Sequence, residues 1–375
     1  MGRRSRKSKR KLNSMFMALL LTAILLIMST YAWFTANRVV TINGIHAKVT
    51  VAEGLQISLD GQNWSNTITA DAKTLAALGT AQKTGQTDIP VNSWIWPSEL
   101  KPVSTDGTMP DGVPIFKDGS ISTDGLTLTG INQVTPNYSA TVSGTGADTA
   151  KGEKIIAFDV YLRNTSGQTA SDTDKFQLGI GSSVAVLSSD DGGVEGTGLE
   201  NSSRVGILLY GGQVSTSAQN QYDICNIAVG SSKFAIWEPN YAVHISDTVA
   251  MDSRLTSDTQ QYQTFAIKRD SESDPITDVT NNSDTANLKA VKTTFTPGGS
   301  VSGKDVDLLD VNQTSDTSLT LPRNAVSKAK IFIWLEGQDP DCNDYASAGG
   351  GLQYVLKFTK PGPQQGNGGT GGTGG

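Results

Sequence analysis

From Val39 onward, apolar and polar residues alternate with a period of two, the spacing of a strand with one oily and one wet face. In VVTINGIHAKVTVAEGLQISLDGQNW, Val49 and Val51 alternate with Lys48 and Thr50, and Leu55, Ile57 and Leu59 alternate with Gln56 and Ser58. Glu53-Gly54 and Asp60-Gly61 supply turn residues between these runs, so the segment predicts a half-buried strand pair.

Denser apolar runs follow later in the chain. KIIAFDVYLRN (residues 154–164), FQLGIGSSVAVL (176–187), RVGILLYG (204–211), KFAIWEPN (233–240), KAKIFIWLEG (328–337) and LQYVLKF (352–358) are each of strand length. All are rich in β-branched or aromatic residues and bounded by turn formers. Residues 62–150 are less regular. Asp71 to Leu78 predicts a short helix, and VNSWIWP (91–97) predicts a strand that ends at a proline. Asp-Gly pairs at 106, 111, 118 and 124 mark turns, so this stretch reads as short strands and hairpins or as an inserted lobe. With no 3.6-residue periodicity sustained beyond the amino terminus, the expected architecture is all-β, a β-sandwich or jelly roll with insertions.

The first 32 residues have a different pattern. Residues 1–14 are basic, 15–28 (MFMALLLTAILLIM) are apolar but for one threonine, and Ser29-Thr30-Tyr31-Ala32 are mostly small. Thr30 and Ala32 occupy the −3 and −1 positions that a signal peptidase reads, which puts cleavage between Ala32 and Trp33. The alternative is an uncleaved anchor. With Tyr31, Trp33 and Phe34 the apolar stretch reaches about 20 residues, enough to span a bilayer core. In both cases the cations stay on the cytoplasmic side, and an ectodomain of residues 33–360 is expected outside. Contact with a membrane is expected only through this segment.

Charge and composition narrow the classes. The net charge of −6 includes seven cations and no acid in the first 32 residues, so the remainder carries about −13. A body of that sign is repelled by nucleic-acid phosphates, and nucleic acid is not expected as a partner. Residues 361–375, PGPQQGNGGTGGTGG, have nothing to bury and read as a disordered glycine-rich tail. Cys225 and Cys342 are the two cysteines, and an exported chain can pair them or leave them free.

Candidate chemistry is sparse. His46 and His244 are the only histidines, and no helical pair with a glutamate surrounds them. A G-x-S-x-G nucleophile elbow is absent, and GGVEGTG (192–198) lacks the Lys-Ser/Thr pair of a phosphate loop. No catalytic group is nominated, and no enzyme is expected. Asp339, Asp341 and Asn343 have the alternate spacing of calcium-loop oxygens, but Asp344 stands where such a loop needs glycine and Gly350 where it needs glutamate. A looser calcium site or an ordinary polar turn remain as readings; no other cofactor is indicated. Trp94 and Trp96 share one face of their strand, and if exposed they form a ligand platform for glycan.

The string STYAWFTAN (29–37) resembles the SipW-type signal of Gram-positive bacteria. That group includes the secreted matrix proteins TasA and camelysin. The match is specific at Thr30-Tyr31-Ala32-Trp33-Phe34 and covers about a tenth of the chain. The resemblance implies a jelly-roll domain secreted to the biofilm matrix, self-associating into fibres by lending an N-terminal strand to a neighbour. The second reading is a membrane-tethered cell-surface binding module, for glycan or for adhesion to a host or partner.

Overall fold

The computed structural model describes residues 45–97, 100–105, 107, 109, 112–121, 128–134, 154–166, 173–187, 200, 202–215, 220–230, 233–239, 306–309, 311, 318–336 and 351–360. These residues are mostly strands, as the period-two patterning predicts. Among them the helices are two single turns, α1 (Ala72–Ala76) and α2 (Gln221–Cys225). Asp71 starts α1 by accepting a hydrogen bond from the Thr74 backbone N–H at 2.7 Å, and Asn220 starts α2 by accepting one from Asp223 N–H at 2.9 Å.

The strands run in chain order as β1 (His46–Val51), β2 (Leu55–Ser58), β3 (Thr67–Ala70), β4 (Thr80–Ala81), β5 (Ile89–Pro90), β6 (Phe116–Ile121), β7 (Leu128–Val134) and β8 (Ile156–Asn164). They continue as β9 (Thr173–Leu178), β10 (Ser183–Val186), β11 (Ser203–Val214), β12 (Lys233–Trp237), β13 (Val306–Leu309), β14 (Leu319–Pro322), β15 (Val326–Leu335) and β16 (Leu352–Thr359). Sheet I has the order β14-β9-β16-β1-β3, with β10 also paired to β16. Sheet II has the order β13-β12-β11-β15-β8-β2. The pairs β4–β5 and β6–β7 form two small separate sheets.

One apolar cluster joins the two large sheets. Sheet I contributes Ala47, Val49, Phe176, Leu178, Leu321, Tyr354, Leu356 and Phe358, and sheet II contributes Leu55, Ile57, Phe158, Val160, Leu162, Ile207, Ile331 and Ile333. The outward residues of β1, His46 and Lys48, are exposed, which is the alternation its sequence predicts.

Sheet II is also covered on its other face, which makes a second core. Ala157, Tyr161, Leu208, Phe234, Ile236, Phe332 and Trp334 point outward there. They meet Ala81, Val91, Ile95, Val103 and Phe116 from the 62–150 stretch, and Tyr222, Ile224 and Cys225 from α2. Double-sided burial explains why β8 and β15 read as continuous apolar runs rather than alternating ones. The 62–150 stretch is therefore not all lobe: β3 belongs to sheet I, and residues 81–116 supply the cover over sheet II.

Two readings of local structure need correction. The run 176–187 is a bend joining two strands, because Gly181 takes φ +94°, a left-handed conformation that L side chains rarely adopt. The resulting β9 and β10 pair with opposite ends of β16. Asp118-Gly119 is not a turn but a bulge inside β6, where the register to β7 shifts between Asp118 and Ser120.

Candidate functional site

Chemistry-bearing side chains gather on the covered outer face of sheet II. The register of β15 against β8 sets Lys330 opposite Asp159 and Lys328 opposite Tyr161. Lys330 Nζ lies 2.6 Å from Asp159 Oδ1, and Lys328 Nζ lies 3.8 Å from Asp159 Oδ2. Asp159 is 1% exposed, Lys330 3% and Lys328 8%.

The covering segment closes over these charges with its own backbone. Ser93 N–H donates to Asp159 Oδ2 at 3.1 Å, and Lys330 Nζ donates to Ser93 O at 2.7 Å. Asn92 anchors the same segment. Its Nδ2 donates to Leu59 O and Asp159 O, and its Oδ1 accepts from Asp159 N–H. Tyr161 OH donates to Val91 O at 2.6 Å. Lys328 Nζ donates to Cys225 O at 3.4 Å and stands 4.5 Å from the centre of the Tyr210 ring.

Protonation follows from burial and from the charge count. Burial raises the Asp159 carboxyl, but the two lysines and the hydrogen bonds from Lys330 and Ser93 outweigh it and hold the group below its ordinary value. Burial lowers Lys330, Lys328 lowers it further, and Asp159 opposes both; the net direction is downward. The Tyr161 and Tyr210 hydroxyls are pushed up, first by burial and then by the Asp159 charge. Cys225 is a free thiol whose Sγ donates to Val91 O at 3.5 Å, and burial pushes it up to about 11.

A second buried pair lies at one end of the same face. Arg204 on β11 sits 3.3 Å from Glu238 just past β12, and both side chains are fully buried. Trp334 Nε1 donates to Glu336 Oε2 beside them at 3.3 Å.

Compared with known protein families, curated proteins and solved structures, the chain matches none.

The structure separates the residues singled out from sequence. Trp94 is 5% and Trp96 6% exposed, so they do not form an open ligand platform. They do share a face, as expected, but it is the face turned into the core between the large sheets, where Trp96 packs on Phe158 with ring centroids 5.9 Å apart. The reason is that the segment lies along the edge of β8, Ile95 exchanging backbone hydrogen bonds with Ala157. Ala32, Trp33, Asp339, Asp341, Asn343, Cys342, His244 and the tail 361–375 lie outside the described residues. Among the described residues, no three His, Cys, Asp or Glu side chains converge as metal ligands, and no helix is long and apolar enough to cross a membrane.

Sequence reasoning passed over Lys328, Lys330, Asp159, Arg204 and Glu238. The signal was present: an aspartate inside IIAFDVYL and two lysines at alternate positions ahead of IFIWL interrupt otherwise apolar strands. Charges in that setting are rarely buried unless paired.

Proposed function

We propose that this chain is a secreted, non-enzymatic structural protein of a Gram-positive cell surface or biofilm matrix, with a β-sandwich ectodomain that assembles into fibres. The observation that carries the reading is the leader: a basic segment, an apolar run and a small-residue site continuing into Trp33-Phe34. Two large sheets around a shared apolar core support the sandwich architecture.

Strand donation draws on the chain ahead of β1. β1 is already an inner strand of sheet I, flanked by β16 and β3, so it stays with its own subunit. The donated segment is therefore the one before it, residues 33–44, which includes the apolar Trp33, Phe34, Val39, Val40 and Ile42. Laid along an open sheet edge of the next copy, it satisfies backbone hydrogen bonds there and propagates head to tail.

Burial of Trp94 and Trp96 leaves the tethered glycan-binding module without its aromatic platform. In the test, protein purified from the secreted fraction is sequenced at its N-terminus and imaged by negative-stain microscopy. Filaments that begin at Trp33, and a folded monomer after deletion of residues 33–42, are the expected results. Filaments that persist after the deletion overturn strand donation, and protein retained in the cytosol with Met1 intact overturns secretion.

A further inference from the structure

Asp159 faces two lysines from the same neighbouring strand, and this arrangement can react. Lys330 is directly opposite Asp159 in the β15–β8 register, and its Nζ is 2.6 Å from Oδ1, so the carboxyl carbon lies one bond beyond. Both residues are almost wholly buried, at 3% and 1% exposed. Three further groups fix the orientation: Ser93 N–H on Oδ2, Ser93 O on Lys330 Nζ, and Asn92 on the Asp159 backbone. A nucleophile and an acyl carbon held this way have a very high effective concentration.

The charge count favours the reactive form. Among the described residues two ammonium groups face the Asp159 carboxylate, and Lys330, buried beside the Lys328 cation, becomes the neutral amine by passing a proton to that carboxylate. Lys330 is the more deeply buried of the two. Lys328, at 3.8 Å from Oδ2, remains as the cation that steadies the developing oxyanion.

We propose that Lys330 Nζ and Asp159 Cγ are joined by an amide bond, an intramolecular cross-link between β15 and β8. The neutral amine of Lys330 adds its electron pair to Cγ, and the bond from Cγ to Oδ2 breaks. Oδ2 departs as water with two protons from Lys330, the one its ammonium passed to the carboxylate and one from the bonded nitrogen, so Lys328 stays a cation and no oxidant or cofactor is required. Replacing a buried ion pair with a neutral amide removes the desolvation of two charges, and the cover formed by residues 91–95 keeps water from reversing the step.

The experiment is mass spectrometry on the purified full chain, intact under denaturing conditions and after trypsin. The expected result is a mass lower by one water than the processed sequence, with a branched peptide joining the segments of Asp159 and Lys330 and no cleavage after Lys330. Asp-Gly pairs can also lose water by succinimide formation. Lys330→Arg separates the two, because it restores the missing water only if the amide is the source. Full mass with cleavage after Lys330 in the wild-type chain overturns the proposal, as does a branch at Lys328 or a deficit that survives K330R. Because the peptide map is read on the wild-type chain, the test does not depend on the variant folding.

Discussion

Val49 on β1 lies opposite Leu356 on β16, in a parallel pairing that joins the first and last described strands at the middle of sheet I. Both side chains are completely buried in the core shared with sheet II. Parallel neighbours need a long crossover connection, and here almost the whole described domain forms it. The domain is therefore closed by contacts between its two ends, and a cavity there weakens all of it. Leu356→Ala is expected to lower unfolding free energy by about 2–5 kcal/mol in urea titration. A loss near zero would show that β16 is not part of the core.

Gly206 on β11 marks a close approach that its sequence setting does not reveal. An added Cβ would meet the Phe234 ring at 2.7 Å and Trp334 at 3.1 Å. Phe234 is further held edge-on against Phe332. Gly206→Ala is expected to destabilise by about 1–3 kcal/mol through overpacking, despite the better strand and chain-entropy properties of alanine. Thermal unfolding of the two proteins side by side provides the check.

The Asp159 cluster predicts an asymmetry between its partners. Removing either Asp159 or Lys330 also removes the proposed amide, but removing Asp159 leaves two buried lysines without their carboxylate, whereas removing Lys330 leaves Asp159 with Lys328. Asp159→Ala is expected to cost about 3–5 kcal/mol, and Lys330→Met distinctly less. Equal losses in denaturant titrations would mean that Lys328 does not reach the carboxylate in solution.

Cys225 gives a prediction on the alkaline side. The thiol ionises at about 11 in the fold against 9.0 ordinarily, because burial disfavours the thiolate. Between those values the unfolded chain loses its proton first, so the stability this group contributes is complete below 9.0 and is lost as pH rises through about 11. Wild-type protein should therefore lose ground to Cys225→Ala across that window, while the difference between them stays flat from pH 6 to 8. A flat difference throughout would place the thiol in solvent.

Trp94 and Trp96 test the reassignment from platform to core. Trp96→Ala is expected to cost about 3–5 kcal/mol through the cavity it leaves against Phe158. Loss of glycan binding at unchanged stability would restore the exposed reading.

Much of the fold was legible along the chain. The apolar runs that became β8, β11, β12, β15 and β16 are visible as strand-length segments, Asp71 announces α1, and the alternation in β1 names its inward residues. The polar cluster was less legible, since Asp159 and Lys330 are far apart in sequence and only the register of β15 against β8 brings them together.

What the sequence determined by itself is local: strand character, the turns at Gly54 and Gly61, and the shared face of Trp94 and Trp96. A period of two is set by the backbone of a single strand, so one segment is enough to show it. Only the tertiary structure decided that sheet II is covered on both faces, that β1 runs parallel to β16, and that Lys330 meets Asp159. Those relations depend on which strands pair and in what register, and the free energy that selects the pairing comes from burying distant residues together.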